Sequence, residues 1–223
     1  MENNNGLLTV KNLVKHFDIS GGLLDQLALE KGRIVRRRTT VKALNDVSFS
    51  IMPRETLGVV GESGCGKSTL ARAVLGLYPP NSGEIYYKNN RIDNLTPQKM
   101  LPFRKKMQMI FQDPYASLNP SMSVGEIIGE PMQFHGIAKG KDKQARVSEL
   151  LETVGLADQA GKLPSMVSGG QQQRAAIARA LANDPDLLIA DEPTGNLDSR
   201  TAEQVFDIFH HLVDEQGKTV LMV

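Results

Sequence analysis

The sequence predicts an α/β protein: short parallel strands alternating with helices, and a mainly helical segment inserted in the middle. Three observations predict it. Apolar runs too short for helices recur at 56–60, 107–111, 187–190 and 219–223. The first leads into a glycine-rich run, 61–68, and then into a stretch of helical composition ending before Pro79 and Pro80. Residues 115–178, between the second and third runs, read as helical in the main.

In order along the chain, 7–16 alternates apolar and polar residues and reads as a strand. Residues 18–40 open with Ser20, Gly21 and Gly22 and close with Arg36, Arg37, Arg38, Thr39 and Thr40. They read as a solvated surface insertion, a loop or short helix; three arginines are few for a lipid-headgroup patch. A strand follows at 44–51, then 56–60, β-branched and ending in glycine, as a buried parallel strand. Residues 68–77 form a helix, and 84–87 a strand after the turn at Asn81, Ser82 and Gly83. Ser123 and Glu126 have capping-box spacing. Val147, Leu150, Leu151 and Val154 give 141–154 an amphipathic helical stripe. Residues 170–182 form an alanine-rich helix and 201–214 another. No internal repeat or low-complexity tract interrupts the pattern.

The 223 residues fit one domain, or a domain with a subdomain, and 40% hydrophobic with 23% charged is a globular balance. The 26 basic and 25 acidic residues leave a net charge of +1, which gives no footprint for nucleic acid. One cysteine excludes a disulfide framework. No apolar run reaches the ~18 residues that span a bilayer. Met1, Glu2, Asn3, Asn4 and Asn5 lack the apolar core of a signal peptide. The expectation is a cytoplasmic protein that reaches any membrane through a partner.

Gly61, Glu62, Ser63, Gly64, Cys65, Gly66, Lys67 and Ser68 satisfy G-x-x-x-x-G-K-[ST] at each defined position, between a strand and a helix. Glycines let backbone N–H groups converge on phosphate oxygens, and the helix N-terminus adds its positive dipole end. Lys67 is expected to reach the β- and γ-phosphates of a bound nucleotide, and Ser68 to ligate Mg²⁺. Thr69 follows as the last residue of this ATP-binding stretch. Cys65 reads as a small residue that fits; the alternative is a thiol activated by Lys67 and the helix end.

The strand at 187–190 ends in Asp191 and Glu192. Asp191 is expected to hold Mg²⁺, directly or through water, and Glu192 to act as general base on the attacking water. Gln112 follows the strand at 107–111; on pattern alone it is equally a surface-turn glutamine. Between the halves of this nucleotide site lies Ser168, Gly169, Gly170, Gln171, Gln172, Gln173, Arg174, by itself only a polar turn before a helix.

That run, set between a phosphate loop and a carboxylate pair, resembles the signature of the ATP-binding-cassette (ABC) family, and the resemblance covers nearly the whole chain. It implies a P-loop NTPase, RecA-like core with an antiparallel β edge and an inserted helical subdomain: 1–112 and 180–223 as core, 113–179 as helical subdomain. It implies that Gln112 meets both the Mg²⁺–water site and a membrane partner, and that Ser168, Gly169, Gly170 and Gln171 act on ATP held by a second cassette. Gly195, Asn196, Leu197 and Asp198 look like the D-loop, Asp198 coupling two sites across a dimer. Phe17 stands where an aromatic stacks on adenine; a strand-end phenylalanine is otherwise a core residue.

Residues 41–131, with Phe111, Gln112, Asp113, Pro114, Tyr115, Ala116, Ser117, Leu118, Asn119 and Pro120, look like oligopeptide, dipeptide and nickel importer ATPases. The run from Asp191 through Pro193, Thr194 and Gly195 to Ser199 looks like the lipoprotein-release and macrolide-export type. The family places a histidine just after the last core strand, where this chain reaches Val223; His210 and His211 precede that strand. A truncated chain with weak hydrolysis is the expectation. The resemblance implies an ATPase powering a transporter, with peptide import ahead of export. It implies a homo- or heterodimeric cassette, transmembrane permease subunits and a solute-binding protein as partners, and a place at the inner face of the membrane. A soluble ABC ATPase and a non-hydrolysing ATP-binding module are the other readings.

Overall fold

The computed structural model describes residues 6–20, 27–30, 33–36 and 39–223. Its centre is a parallel sheet in the order β5 (Thr56–Gly58), β10 (Thr219–Met222), β9 (Leu187–Ala190), β8 (Met107–Ile110). Ile110 pairs with Ala190, Ala190 with Met222, and Met222 with Gly58. The four strands therefore stop level, and the residues after them open on one shared edge. In open parallel sheets this carboxyl edge is where ligands bind.

Strand β9 is buried on both faces and its side chains alternate between two cores. Leu187 and Ile189 join a cluster with Leu8, Leu70, Val74 and Met107. Leu188 and Ala190 join one with Ile127, Leu151, Ile177 and Val205. Leu188 is fully buried, so truncating it to alanine would cost about 2–5 kcal/mol.

The antiparallel strands form a separate sheet, in the order β4 (Thr40–Ile51), β1 (Leu8–Asp18), β6 (Ser82–Tyr87), β7 (Asn90–Arg91). It is tied to the parallel core through Asp186, whose carboxylate accepts from the Tyr87 hydroxyl at 2.6 Å and from Lys88 Nζ at 2.7 Å. Burial, with the Asp186 hydrogen bond, pushes the Tyr87 hydroxyl far above a phenol's ordinary value. Burial works to raise the Asp186 carboxyl, but hydrogen bonds from Lys88 and Tyr87 hold it below its usual range.

The inserted segment comprises α3 (Pro114–Ser117), α4 (Val124–Phe134), α5 (Gly140–Thr153) and α6 (Gly169–Leu181). Helix α4 has the reciprocal cap its sequence predicts. The Ser123 hydroxyl accepts from Glu126 N at 3.3 Å, and Glu126 Oε2 accepts from Ser123 N at 2.8 Å. The Ser123 N–H and hydroxyl, each donating to that carboxylate at 2.8 Å, hold the Glu126 carboxyl below its usual range. Helices α4, α5 and α6 bury Ile128, Leu150 and Ile177 against one another and the sheet.

Two expectations need correction. Within 18–40 the structure has a strand pair, β2 (Leu27–Glu30) with β3 (Arg33–Arg36), where loop or short helix was expected. Apolar Leu27, Leu29, Ile34 and Val35 flank Lys31 and Gly32 in the sequence, a hairpin pattern that the ends of the insertion overshadow. Gly21, Gly22, Arg37 and Arg38 lie outside the described residues. Strand β5 is not a buried strand: it is an edge, with Thr56 and Gly58 exposed and Val60 beyond it 94% exposed. A β-branched run shows strand propensity but not its place in the sheet. An additional helix, α2 (Pro97–Lys106), precedes β8, its first turn capped by the Thr96 hydroxyl.

Candidate active site

The loop 59–66 leaves β5 and enters α1 (Lys67–Val74). Gly66 makes this turn possible. Its φ is +106°, and a Cβ there would sit 2.3 Å from the carbonyl oxygen of Ala43 on β4. No side chain caps α1, so its first N–H groups are left for a ligand. Lys67 Nζ folds back over the loop, donating to the Gly61 carbonyl at 2.9 Å and the Glu62 carbonyl at 3.1 Å. It also lies 3.7 Å from Glu192 Oε1. Ser63, Gly64, Cys65 and Thr69 belong to the same loop and helix start, and the Cys65 thiol is exposed.

Asp191 and Glu192 follow β9 directly and split in direction. Asp191 is buried; its Oδ1 accepts from the Ser68 hydroxyl at 2.7 Å and its Oδ2 lies 3.7 Å from Arg72. Glu192 has φ +44°, a conformation that is costly for a non-glycine residue. The turn is held by Glu192 N donating to the Val223 carbonyl at 2.8 Å and Gly195 N donating to the Glu192 carbonyl at 3.1 Å. The carboxylate is thereby turned to Gln112, whose Nε2 donates to Glu192 Oε2 at 2.8 Å. Asn196 Nδ2 donates to the Gln112 carbonyl at 3.4 Å. A cavity of about 310 Å³ opens beside these groups, lined by Arg72, Phe111, Gln112, Asp113, Ser117 and Asp191.

The structure thus brings Lys67, Ser68, Gln112, Asp191 and Glu192 together. It sets Phe17 and the 168–171 run apart from them. Phe17 is half-buried at the β1–β4 pairing, opposite Val41, two residues from the Ala43 carbonyl beneath Gly66. Its ring meets Tyr78 edge-on at 5.4 Å, and Lys15 Nζ lies 5.0 Å from its centre.

Ser168 caps α6 through a reciprocal pair with Gln171: Gln171 N donates to its hydroxyl at 3.3 Å, and Ser168 N donates to Gln171 Oε1 at 2.9 Å. Gly169 is exposed, and Gly170 packs on α7 (Ser199–Asp214). A Cβ on Gly170 would lie 2.0 Å from the methyl of Thr201. Thr201 is fixed by Asp198, which accepts from its backbone N at 3.0 Å and its hydroxyl at 2.6 Å. Those two bonds hold the Asp198 carboxyl below its ordinary value.

Arg72 and Gln173 escape the motif reading. Ser68 and Arg72 stand four apart on α1, hence on one face, and they meet the two oxygens of Asp191; that spacing was the available signal. Gln173 reaches the Phe111 carbonyl at 3.4 Å, and nothing in a run of three glutamines marks which of them turn inward or which meets Phe111.

A hydroxyl beside a carboxylate is a hard-oxygen pair that fits Mg²⁺. Among the described residues no cluster of three His, Cys, Asp or Glu side chains forms a metal cage.

The described residues also include no helix long and apolar enough to cross a membrane. Among solved structures, the chain resembles the dimeric post-hydrolysis state of the ATP-binding cassette MJ0796 bound to ADP and Pi. The TM-score is 0.81 at 33% identity, covering 97% of this chain and 87% of that one. It also resembles cbiO1 from Clostridium perfringens, part of the ABC transporter complex cbiONQ, with TM-score 0.78 at 26% identity over 98% of this chain and 78% of that one. Among curated proteins, it is 46% identical to the oligopeptide transport ATP-binding protein OppF of Bacillus subtilis, over 97% of this chain and 67% of that protein. It is 43% identical to the putative oligopeptide transport ATP-binding protein YkfD of the same organism, over 97% of this chain and 62% of YkfD. It is 44% identical to the glutathione import ATP-binding protein GsiA of Escherichia coli, over 97% of this chain and 33% of GsiA. The family described as ABC transporter matches residues 44–195, and with the level strand ends, the phosphate loop and the paired carboxylates in place, the chain belongs to the ABC transporter family.

Proposed function

We propose that this chain is an ATP-binding and ATP-hydrolysing subunit that powers peptide import, working as one of two cassettes beneath transmembrane permease subunits. The Gln112–Glu192 contact at the common edge of β8 and β9 carries the catalytic part of the reading. The importers' similarity over 97% of the chain carries the substrate class and includes the second half, where the motif reading pointed to export.

In this reading the N–H groups of Gly61, Glu62, Ser63, Gly64, Cys65 and Gly66 and the start of α1, through Thr69, hold the phosphates, and Lys67 leaves its loop carbonyls to neutralise them. Phe17 stacks on the adenine. Ser68 and Asp191 hold Mg²⁺, which when bound supplies charge neutralisation on the phosphate oxygens. Glu192 takes the proton of the attacking water, and Gln112 orients that carboxylate from its other oxygen. Turned by its positive-φ backbone, Glu192 is aimed before substrate arrives, which lowers the reorganisation needed in the transition state.

Ser168, Gly169, Gly170 and Gln171 act in trans, presenting the N-terminus of α6 to the ATP of the other cassette, and Asp198 couples the two sites. ATP then favours the closed dimer because only that state supplies both sets of contacts. Residues 113–179 move as a helical subdomain on a core of 1–112 and 180–223, and a solute-binding protein delivers the cargo. The decisive test is peptide uptake by proteoliposomes holding the permease and this subunit. Uptake lost on Glu192→Gln supports the reading; undiminished uptake overturns it.

A further inference from the structure

Helix α6 carries a buried amide whose oxygen has no hydrogen-bond partner. Gln173 is 1% exposed; its Nε2 donates to the Phe111 carbonyl at 3.4 Å, and its Oε1 is buried without a hydrogen-bond partner. A carbonyl only accepts, so the NH₂ must face Phe111 and turning the amide over cannot satisfy the oxygen. A methionine would fill the same space and remove the unsatisfied oxygen, at the cost of the long bond to the Phe111 carbonyl.

Helix α6 grips the same stretch again through Arg179, whose guanidinium donates to the Ser117 carbonyl. Residues 111–117 are therefore held from α6 at both ends, and between them Gln112 touches Glu192. The N-terminus of this helix is the run Ser168, Gly169, Gly170.

We propose that Gln173 is a positioning residue for Gln112. It passes movement of α6 to the Gln112–Glu192 contact. The long bond to Phe111 is one arrangement; in the nucleotide-bound arrangement the free Oε1 takes an N–H of the stretch it holds. The inference rests on the roles proposed above for Gln112 and Glu192.

The test compares Gln173→Met, Gln112→Ala and the double variant. Expected for Gln173→Met are an unchanged or raised Tm, unchanged ATP affinity without Mg²⁺, and single-turnover hydrolysis slowed about tenfold. In the Gln112→Ala background the same change adds no further loss, because the two residues act in series. Hydrogen exchange in the peptide 107–118 responds to ATP in the parent and no longer does so in Gln173→Met. Gln173→Leu, also without polar atoms, gives the same pattern should the methionine variant not fold. Full turnover by Gln173→Met, equal losses in both backgrounds, or a lowered Tm with lost ATP binding each overturn the proposal. Parent-rate hydrolysis by Gln112→Ala would instead overturn the underlying role of Gln112.

Discussion

Gln112 and Glu192 lie 80 positions apart in sequence, and the amide of one donates to the carboxylate of the other at 2.8 Å. Each follows the end of a parallel strand, and the two strand ends are paired, Ile110 against Ala190. Lys67, 3.7 Å away, approaches the second oxygen of the same carboxylate. Both oxygens are thus engaged, one by an orienting amide and one by a cation.

Glu192→Gln keeps the size of the side chain and removes its basicity. Single-turnover hydrolysis is expected to fall about 10²–10⁴-fold, the usual contribution of a general base. ATP binding persists, and light scattering with ATP shows an accumulating dimer. Turnover within a few-fold of the parent would exclude Glu192 as the base.

Ser68→Ala removes one of the two oxygens proposed to hold Mg²⁺ and leaves the Asp191–Arg72 pair in place. Titrating Mg²⁺ against fluorescent ATP should show about tenfold weaker metal dependence, a loss on the order of 1.4 kcal/mol. Nucleotide affinity in EDTA stays the same. An unchanged Mg²⁺ midpoint would remove Ser68 from the metal site.

Gly170→Ala drives a methyl group into Thr201, 2.0 Å from its Cγ2. Overpacking of this kind costs about 1–3 kcal/mol, read from the urea midpoint. Thr201→Ser deletes the obstructing methyl and keeps the hydroxyl that donates to Asp198. Adding it to Gly170→Ala should restore most of the loss; a double variant no better than the single would refute the clash.

Tyr87→Phe tests the clasp between the two sheets. The folded protein keeps the Tyr87 proton above the pH, about 10, at which the unfolded chain loses it. The unfolded state then binds fewer protons, so stability falls as pH rises past that point. The variant should lack this alkaline fall while losing about 1.5–3 kcal/mol at pH 7 with the bond to Asp186. Asp186 acts oppositely: its lowered carboxyl stabilises fully above the ordinary aspartate value of about 4, and that contribution is lost as pH falls from there through the lower folded value. Urea midpoints at pH 7 and 10.5 that shift in parallel for parent and variant would discount Tyr87.

Cys65 is exposed in the phosphate loop, its sulfur 2.7 Å from where a Cβ on Gly61 would lie. A maleimide should label it in the free protein and more slowly with ATP present, by mass spectrometry. Equal rates would place the nucleotide elsewhere.

Much of this site was legible because its parts are contiguous. Residues 61–68 announce a strand–loop–helix turn through glycine spacing, and 187–192 a buried strand ending in charge. The Ser123–Glu126 cap is local as well, closing over three residues; the equally local Ser168–Gln171 cap was not read from its run. The hairpin inside 18–40 was missed because polar ends outweighed an apolar middle. The edge position of β5 was missed because a three-residue strand carries propensity but no information about its neighbours.

The sequence by itself determined the phosphate loop, the carboxylate pair and the helical insertion, since each rests on spacing within a few residues of backbone. Only the tertiary structure decided that four strands end level, that Arg72 answers Asp191 and that Gln112 faces Glu192. It alone joined Gly170 to Thr201 and stranded one oxygen of Gln173. Those relationships span tens of residues and depend on strand register and helix packing, which local spacing does not encode.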